Sequence, residues 1–440
     1  MTNQAYTIRE TYSFHGRQLP AWQEEREKLP FLAFLVFIFI AVATGSAARF
    51  PWNYIVKISG AVLLAAFAIR WLTARIRLAP EVFLYLLWGI WSSAAMIAGA
   101  NYALYVMSAG TVFQIWLLLV IIAGYTNNGR VLSFNLLAFL CGAAVVWLSG
   151  ALSGSFESAL EMQTRATGRS MDPNGFGWLM IVATVAMAYF WMLPTRWSML
   201  KHATLATGMV SAAAAAVFSG SRFGILGMVL FYAVWLWFCY RGELFRRARV
   251  LLVAVLAASV GGFAFVSLIQ RTTAGARLHE TWLRLTGRTT TGGSAGRIEI
   301  YQEALSVIAR HPLFGVGLNN FRLHSTHGAV AHSEFTEVAA DTGIPGAMIY
   351  FTIYYLMWRR AGRIAKYSPD PGAVRIAKLV KAYLVVMLFI GLGAPHYYSK
   401  TAWIILGSFI GWSQAAWGKL REQIASSQWG HTRAYEGHAA

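Results

Sequence analysis

Seven arginines and no lysine fall between residues 270 and 341: Arg271, Arg277, Arg284, Arg288, Arg297, Arg310 and Arg322. A solvated basic surface mixes the two residue types. Guanidiniums alone point to bidentate gripping of a phosphate or carboxylate, because the planar fork keeps its charge and forms two parallel hydrogen bonds. His332 closes the segment and offers different chemistry. A neutral imidazole, with an ordinary pKa near 6.5, can take a proton from a hydroxyl; a histidine that only bonds a loop carbonyl would read the same way. Arg222 occupies SGSRFG, a very short turn between two apolar runs. Sinking its charge into hydrocarbon costs roughly 2.5–3.5 kcal/mol, so it should face a cavity, a partner or a ligand, or snorkel to the interface. Arg297 opens a helical stretch in GGSAGRIEI, where free backbone N–H groups also favour an anion. Pairing with Glu299 or another loop acid is the plainer alternative. Arg165 and Arg169 precede MDPNG, in which Asp172, Pro173 and Asn174 read first as turn residues. The set suits an anionic lipid head group held outside the cytoplasm.

Other chemistries lack their residues. His324, His327 and His332 could suggest zinc, but neither HExxH nor a carboxylate at ligand spacing accompanies them, and no metal or cofactor is expected. The absence of a Walker loop, a GxGxxG fingerprint and a GxSxG elbow argues against an ATP-driven pump and a serine hydrolase. Cys141 and Cys239 lie inside separate apolar runs and read as core residues. GALSG, from Gly150 to Gly154, has the spacing of a helix-packing motif.

The elements that must position these side chains are membrane helices. Of 440 residues, 57% are hydrophobic and 12% charged, the balance of a polytopic membrane protein. Apolar runs occur near 31–48, 52–69, 81–99, 103–124, 132–150, 175–193, 203–218, 223–240, 250–269, 343–358, 379–395 and 402–418. The expected fold is therefore an all-α integral membrane protein of about twelve transmembrane helices, with a large external loop containing amphipathic helices. Placing the N-terminus inside puts about two thirds of the 37 basic residues in cytoplasmic segments. That asymmetry accounts for much of the formal charge of +19 without nucleic acid.

The resulting organisation is a cytoplasmic segment at 1–29 and nine helices over 30–269, with a small external loop at 151–174. An external catalytic loop at 270–342, three more helices over 343–418 and a cytoplasmic tail at 419–440 follow. Within the long loop, Ile298, Tyr301, Leu305 and Ile308 recur at helical spacing as one apolar face, and Pro312 stops that helix. A second helix should begin with Ser333 as N-cap, turn Phe335, Val338 and Ala339 toward the membrane, and end at Gly343 and Pro345.

The block GRIEIYQEALSVIARHPLFGVGLNNF, followed by HSEFTEVAADTGIPG, resembles the O-antigen ligase and polymerase superfamily. That family has an arginine before an amphipathic helix, then HPLxGxG, then histidine with a small polar residue and a helix ending in Gly-Ile. The SGSR turn at Arg222 and the stretch from Arg169 through DPNG are similar to it as well. The resemblance implies a glycosyltransferase of the bacterial inner membrane whose active site faces the periplasm. Its donor would be a glycan on undecaprenyl diphosphate, used without a metal and with inversion at the anomeric carbon. The family's functional residues fall on Arg222, Arg297 and His332, with Arg288 and Arg169 as further substrate-binding candidates from position and charge.

Among members, a ligase transferring finished polysaccharide to lipid A–core is expected, and a polymerase extending a lipid-linked glycan is the alternative. None of the arginines in the external loops at 151–174 and 270–342 has glycine eleven positions later, a pattern of some polymerases. Protein oligosaccharyltransferases of the superfamily tend to extend further past the last span. A lipid or glycan transporter is a third reading, disfavoured because charge gathers at one mouth rather than within the spans.

Overall fold

In hydrocarbon a chain must satisfy its own backbone hydrogen bonds, and apolar runs of this length do so as helices. The computed structural model describes residues 21–44, 52–73, 78–98, 101–160, 165–167, 171–194, 198–246 and 295–436, with short pieces between 275 and 286. The described chain is helical: α1 (Ala21–Ala43), α2 (Trp52–Thr73), α3 (Pro80–Ser92), α4 (Tyr102–Tyr125), α5 (Gly129–Leu152), α6 (Ser155–Leu160) and α7 (Pro173–Met192). There follow α8 (Ser198–Phe218), α9 (Arg222–Arg246), α10 (Ala295–Arg310), α11 (Phe321–His324), α12 (Glu334–Tyr367), α13 (Pro371–Gly391) and α14 (Lys400–Glu436). Eleven of the expected spans coincide with α1–α5, α7–α9 and α12–α14; the run at 250–269 lies outside the described residues.

By length and composition, four described helices can cross a membrane: α4, α5, α7 and the Arg222–Gly242 part of α9. Exposed apolar residues support lipid contact. Phe83, Leu87 and Ile90 on α3, and Leu226 and Val229 on α9, recur at helical spacing on outer faces. This is a helical membrane protein.

The helices pack as neighbouring pairs, α1 against α5 and α2, α7 against α8, α12 against α13 and α3, and α13 against α9. At the centre, Tyr85 and Trp88 of α3 meet Trp403 of α14 and Tyr350 of α12, with ring centroids 4.5 Å apart for Tyr85–Trp403 and 5.0 Å for Trp88–Tyr350. The Tyr85 hydroxyl donates to the Tyr397 carbonyl at 3.1 Å, tying the α13–α14 connection to α3. A fully buried carboxylate, Glu81, pairs with Arg360 of α12 at 2.9 Å.

Several sequence expectations are revised. The buried face of α10 is Ile300, Ala304 and Val307, packed with Val316, Phe321, Ala331 and Ala340, whereas Ile298 is 61% and Leu305 59% exposed. Both faces of α10 are apolar enough to serve, and docking against the following loop selects the smaller one. Val338 is buried in the protein core, and Phe335 stacks on Phe351 at 4.9 Å, so neither is spent on lipid alone. Ser333 stands at the N-cap position of α12 without a side-chain cap bond. Cys141 is exposed on its helix rather than buried, and Cys239 is half-buried. A Cβ on Gly150 would come within 2.7 Å of the Thr167 carbonyl, so that glycine admits the small loop and not a helix.

Candidate active site

Three acidic residues on α12 organise the end of the bundle where the chain connects α10 to α12. Pro312 ends α10, and the loop LFGVG then lies across residues 340–344 of α12. The helix is broken there, with Gly343 at φ 72°, and Pro345 has no N–H to offer the Asp341 carbonyl. Each freed backbone group finds a partner. Val316 N–H donates to the Ala340 carbonyl at 2.9 Å, Gly317 N–H to Asp341 at 2.8 Å, and Ile344 N–H to Pro312 at 2.8 Å. The Trp91 indole N–H bonds the Thr342 carbonyl at 3.0 Å. Gly315 and Gly343 both have positive φ, and a Cβ at either would overlap backbone of the facing segment.

Glu334, Glu337 and Asp341, spaced i, i+3 and i+7, are all buried. Each clamps a different piece of chain. Asp341 accepts the Asn319 N–H at 2.7 Å, the Phe321 N–H at 3.2 Å and the Tyr397 hydroxyl at 2.9 Å. Glu337 accepts the Ala331 N–H at 2.6 Å. Glu334 accepts the Tyr350 hydroxyl and the His396 backbone N–H. Burial pushes the Glu334 carboxyl up to about 8. Burial also raises Glu337 and Asp341, and the proximity of Asp341 raises Glu337 further. Arg322 on α11 partly offsets both, so this arginine serves the acids of the loop.

The Glu337 clamp adjoins His332. Its φ is 53°, a left-handed backbone that costs an L-residue about 1–2 kcal/mol. The residue before it is fixed by Glu337, and the Ser333 carbonyl after it accepts the Glu337 N–H at 2.9 Å. From α10, the Tyr301 hydroxyl reaches the Leu392 carbonyl at 3.0 Å and the His332 carbonyl at 3.5 Å. The imidazole is thus presented, half-buried, from a backbone that its neighbours over-determine. On the far side of α10, Glu303 binds the Ser325 hydroxyl at 2.7 Å and the Thr326 hydroxyl, bonds that hold its carboxyl below the usual range. His327 pairs with Glu299 at 3.1 Å, so the acid considered as a partner for Arg297 has another neighbour. Among the described residues, no three His, Cys, Asp or Glu side chains gather as a metal site.

Arg222 stands half-buried at the first position of α9. Ser221 caps the helix through the Gly224 N–H at 3.1 Å. Residues 165–167 dock on this turn: Ala166 N–H bonds the Phe218 carbonyl at 2.8 Å, and Arg165 bonds the Ser219 carbonyl at 2.9 Å and Asn174 Oδ1 at 2.8 Å. Asp172 accepts the Asn174 and Gly175 N–H groups as the N-cap of α7, so DPNG opens a helix rather than forming the turn expected of it. The SGSR and DPNG blocks are therefore one structural unit.

The turn after α13 joins that unit to the histidine. Gly393 lies so close to the Phe223 ring that a Cβ there would overlap it. Two residues earlier, a Cβ on Gly391 would lie 3.0 Å from Glu334 Oε2. The segment 391–394 thus has Arg222's neighbour on one side, and Tyr301 and Glu334 on the other. Arg288 and Arg169 lie outside the described residues, as does the side chain of Arg297, whose backbone is in the first turn of α10.

Sequence reading missed the acidic triad, although its spacing on one helical face was visible. It also missed the 391–398 segment, whose glycines and aromatics carry no chemical pattern until folded. A comparison with curated proteins finds no match. Residues 207–351, from α8 through the SGSR turn and His332 into α12, match the family model described as O-antigen ligase, so this part of the chain is similar to that family.

Proposed function

We propose that this protein is an O-antigen ligase, transferring a polysaccharide from undecaprenyl diphosphate to a sugar hydroxyl of lipid A–core at the periplasmic face of the bacterial inner membrane. The observation that carries the reading is His332, held in a left-handed conformation beside the turn that adjoins the Arg222 unit. In the reaction, the acceptor hydroxyl oxygen attacks the anomeric carbon and the bond from that carbon to the diphosphate oxygen breaks. The hydroxyl proton passes to the neutral His332 imidazole, an effect worth about 100- to 10,000-fold. The leaving diphosphate gains negative charge, which Arg222 and Arg297 stabilise, with Arg288 and Arg169 as further contacts. One such contact is worth about 3–4 kcal/mol. Direct displacement inverts the anomeric centre, and no step calls on a metal.

The product class tests the reading. Purified protein is given a lipid-linked glycan together with either lipid A–core or excess lipid-linked glycan. Glycan joined to lipid A–core is the expected product. Lengthened lipid-linked glycan alone would make the protein a polymerase. Orientation is tested separately: Thr290→Cys should react with an impermeant thiol reagent in spheroplasts, and Arg247→Cys should not.

A further inference from the structure

A cavity of about 350 Å³ opens at the other end of the bundle, where α7 and α9 finish and α8 and α13 begin. Twenty residues of α7 separate it from the Arg222 unit, about 30 Å at 1.5 Å per residue. Lys201, His202 and Arg375 line it together with Trp191, Cys239 and Tyr240, and among the described residues no acidic side chain does.

The groups are unequally engaged. The His202 ring sits between the Ser198 hydroxyl at 3.3 Å and the Trp191 carbonyl at 3.2 Å, and Nε2, facing a carbonyl, carries a proton. The Lys201 ammonium donates one hydrogen to the Leu193 carbonyl and retains two. The exposed Arg375 has no ion pair among the described residues. Among the described residues, two cations from different helices therefore converge on one cavity without a counter-charge.

The setting selects the kind of anion. The apolar stretches of α7 and α9 end at Met192 and Gly242, so the cavity lies where hydrocarbon gives way to head groups. Trp191 and Tyr240 supply the aromatic lining expected at that level. Met199 and Leu200, between lining residues of α8, are 89% and 64% exposed, a surface suited to acyl chains and wasted on a soluble ion. We propose that this cavity binds the phosphate of an anionic phospholipid, with Lys201 and Arg375 on the phosphate and the exposed residues of α8 on the acyl chain. The site is independent of the transferase reading.

The test uses the full chain in nanodiscs of phosphatidylcholine with graded phosphatidylglycerol, reading retained phosphatidylglycerol by native mass spectrometry and thermal stability in parallel. Wild type should retain the anionic lipid and gain stability from it. Arg375→Gln and Lys201→Gln should each weaken its apparent affinity about fivefold. Arg375 is exposed, so its variant decides the matter if Lys201→Gln folds poorly. Arg359→Gln removes a charge that lies over the Tyr355 ring outside the cavity, and should change little. Equal losses in Arg359→Gln, or no loss in Arg375→Gln, would overturn the proposal. Inorganic phosphate that displaces the lipid and stabilises fully in phosphatidylcholine alone would overturn the lipid assignment.

Discussion

The Glu337 carboxylate accepts the Ala331 backbone N–H at 2.6 Å and so fixes the chain one residue before His332. The bond is buried, and it spans the entry of α12 back to the loop that delivers the imidazole. Because burial raises the Glu337 carboxyl, an amide that accepts through its carbonyl oxygen is a close substitute. Glu337→Gln should stay within about twofold of wild type in initial rate. Glu337→Ala orphans a buried donor, at about 1–3 kcal/mol, and should lower the rate at least about tenfold with little change in donor affinity. Equal rates in the two variants would remove the positioning role.

His332→Ala should lose most transfer, about 100-fold or more, while still binding the lipid diphosphate. Glutamine at the same position can hydrogen-bond but cannot take the proton at neutral pH, and should be similarly inactive. Donor affinity and initial rate measured on one purified variant decide this. A near-native rate in the glutamine variant would leave His332 an orienting role only, and a collapse of donor affinity would move it to the diphosphate site.

Arg222→Ala and Arg297→Ala should each abolish transfer, a loss of about 100- to 1,000-fold, with normal membrane insertion. Lysine at either position should restore part of the rate, since it keeps the charge and loses the fork. Donor binding in the same variants is the accompanying measurement. Full activity of Arg297→Ala would take that residue out of the site.

The Glu81–Arg360 pair is a stability element far from the site, about 18 residues along α12 from Thr342, or roughly 27 Å. Glu81→Ala leaves a buried guanidinium without its partner and should destabilise by about 3–5 kcal/mol. Replacing both partners, as Glu81→Leu with Arg360→Met, should recover most of that loss. Thermal unfolding in one detergent measures both. Similar losses in the single and double variants would argue against the pairing.

Stability should also fall as pH rises through the neutral range. The folded Glu334 carboxyl titrates at about 8 against an ordinary 4.5, so the folded state holds the extra proton between those values. Its contribution is complete below pH 4.5 and is lost as pH rises through about 8. Buried His396, lowered to about 3, works in the opposite sense: stability is lost as pH falls from 6.5 toward 3. Glu334→Gln should flatten the decline in melting temperature between pH 6 and about pH 8 relative to wild type. An unchanged slope would show that other groups cause it.

The sequence alone determined the helical membrane architecture, because period and length of apolar runs are local properties that hydrocarbon reads directly. It also singled out His332, the Arg222 turn and the break at Gly343 and Pro345, where rare residue types serve a local need. Tertiary structure decided the rest. Which face of α10 is buried depends on the loop docked against it, since Ile298 and Leu305 are as apolar as Ile300 and Val307. That Glu334, Glu337 and Asp341 are buried clamps rather than a solvated stripe depends on Ala331, Asn319 and Tyr397 arriving from distant parts of the chain. The union of the SGSR turn with His332 through residues 391–394 is likewise a meeting of segments that no local pattern encodes, because a glycine's neighbours across space leave no trace in its neighbours along the chain.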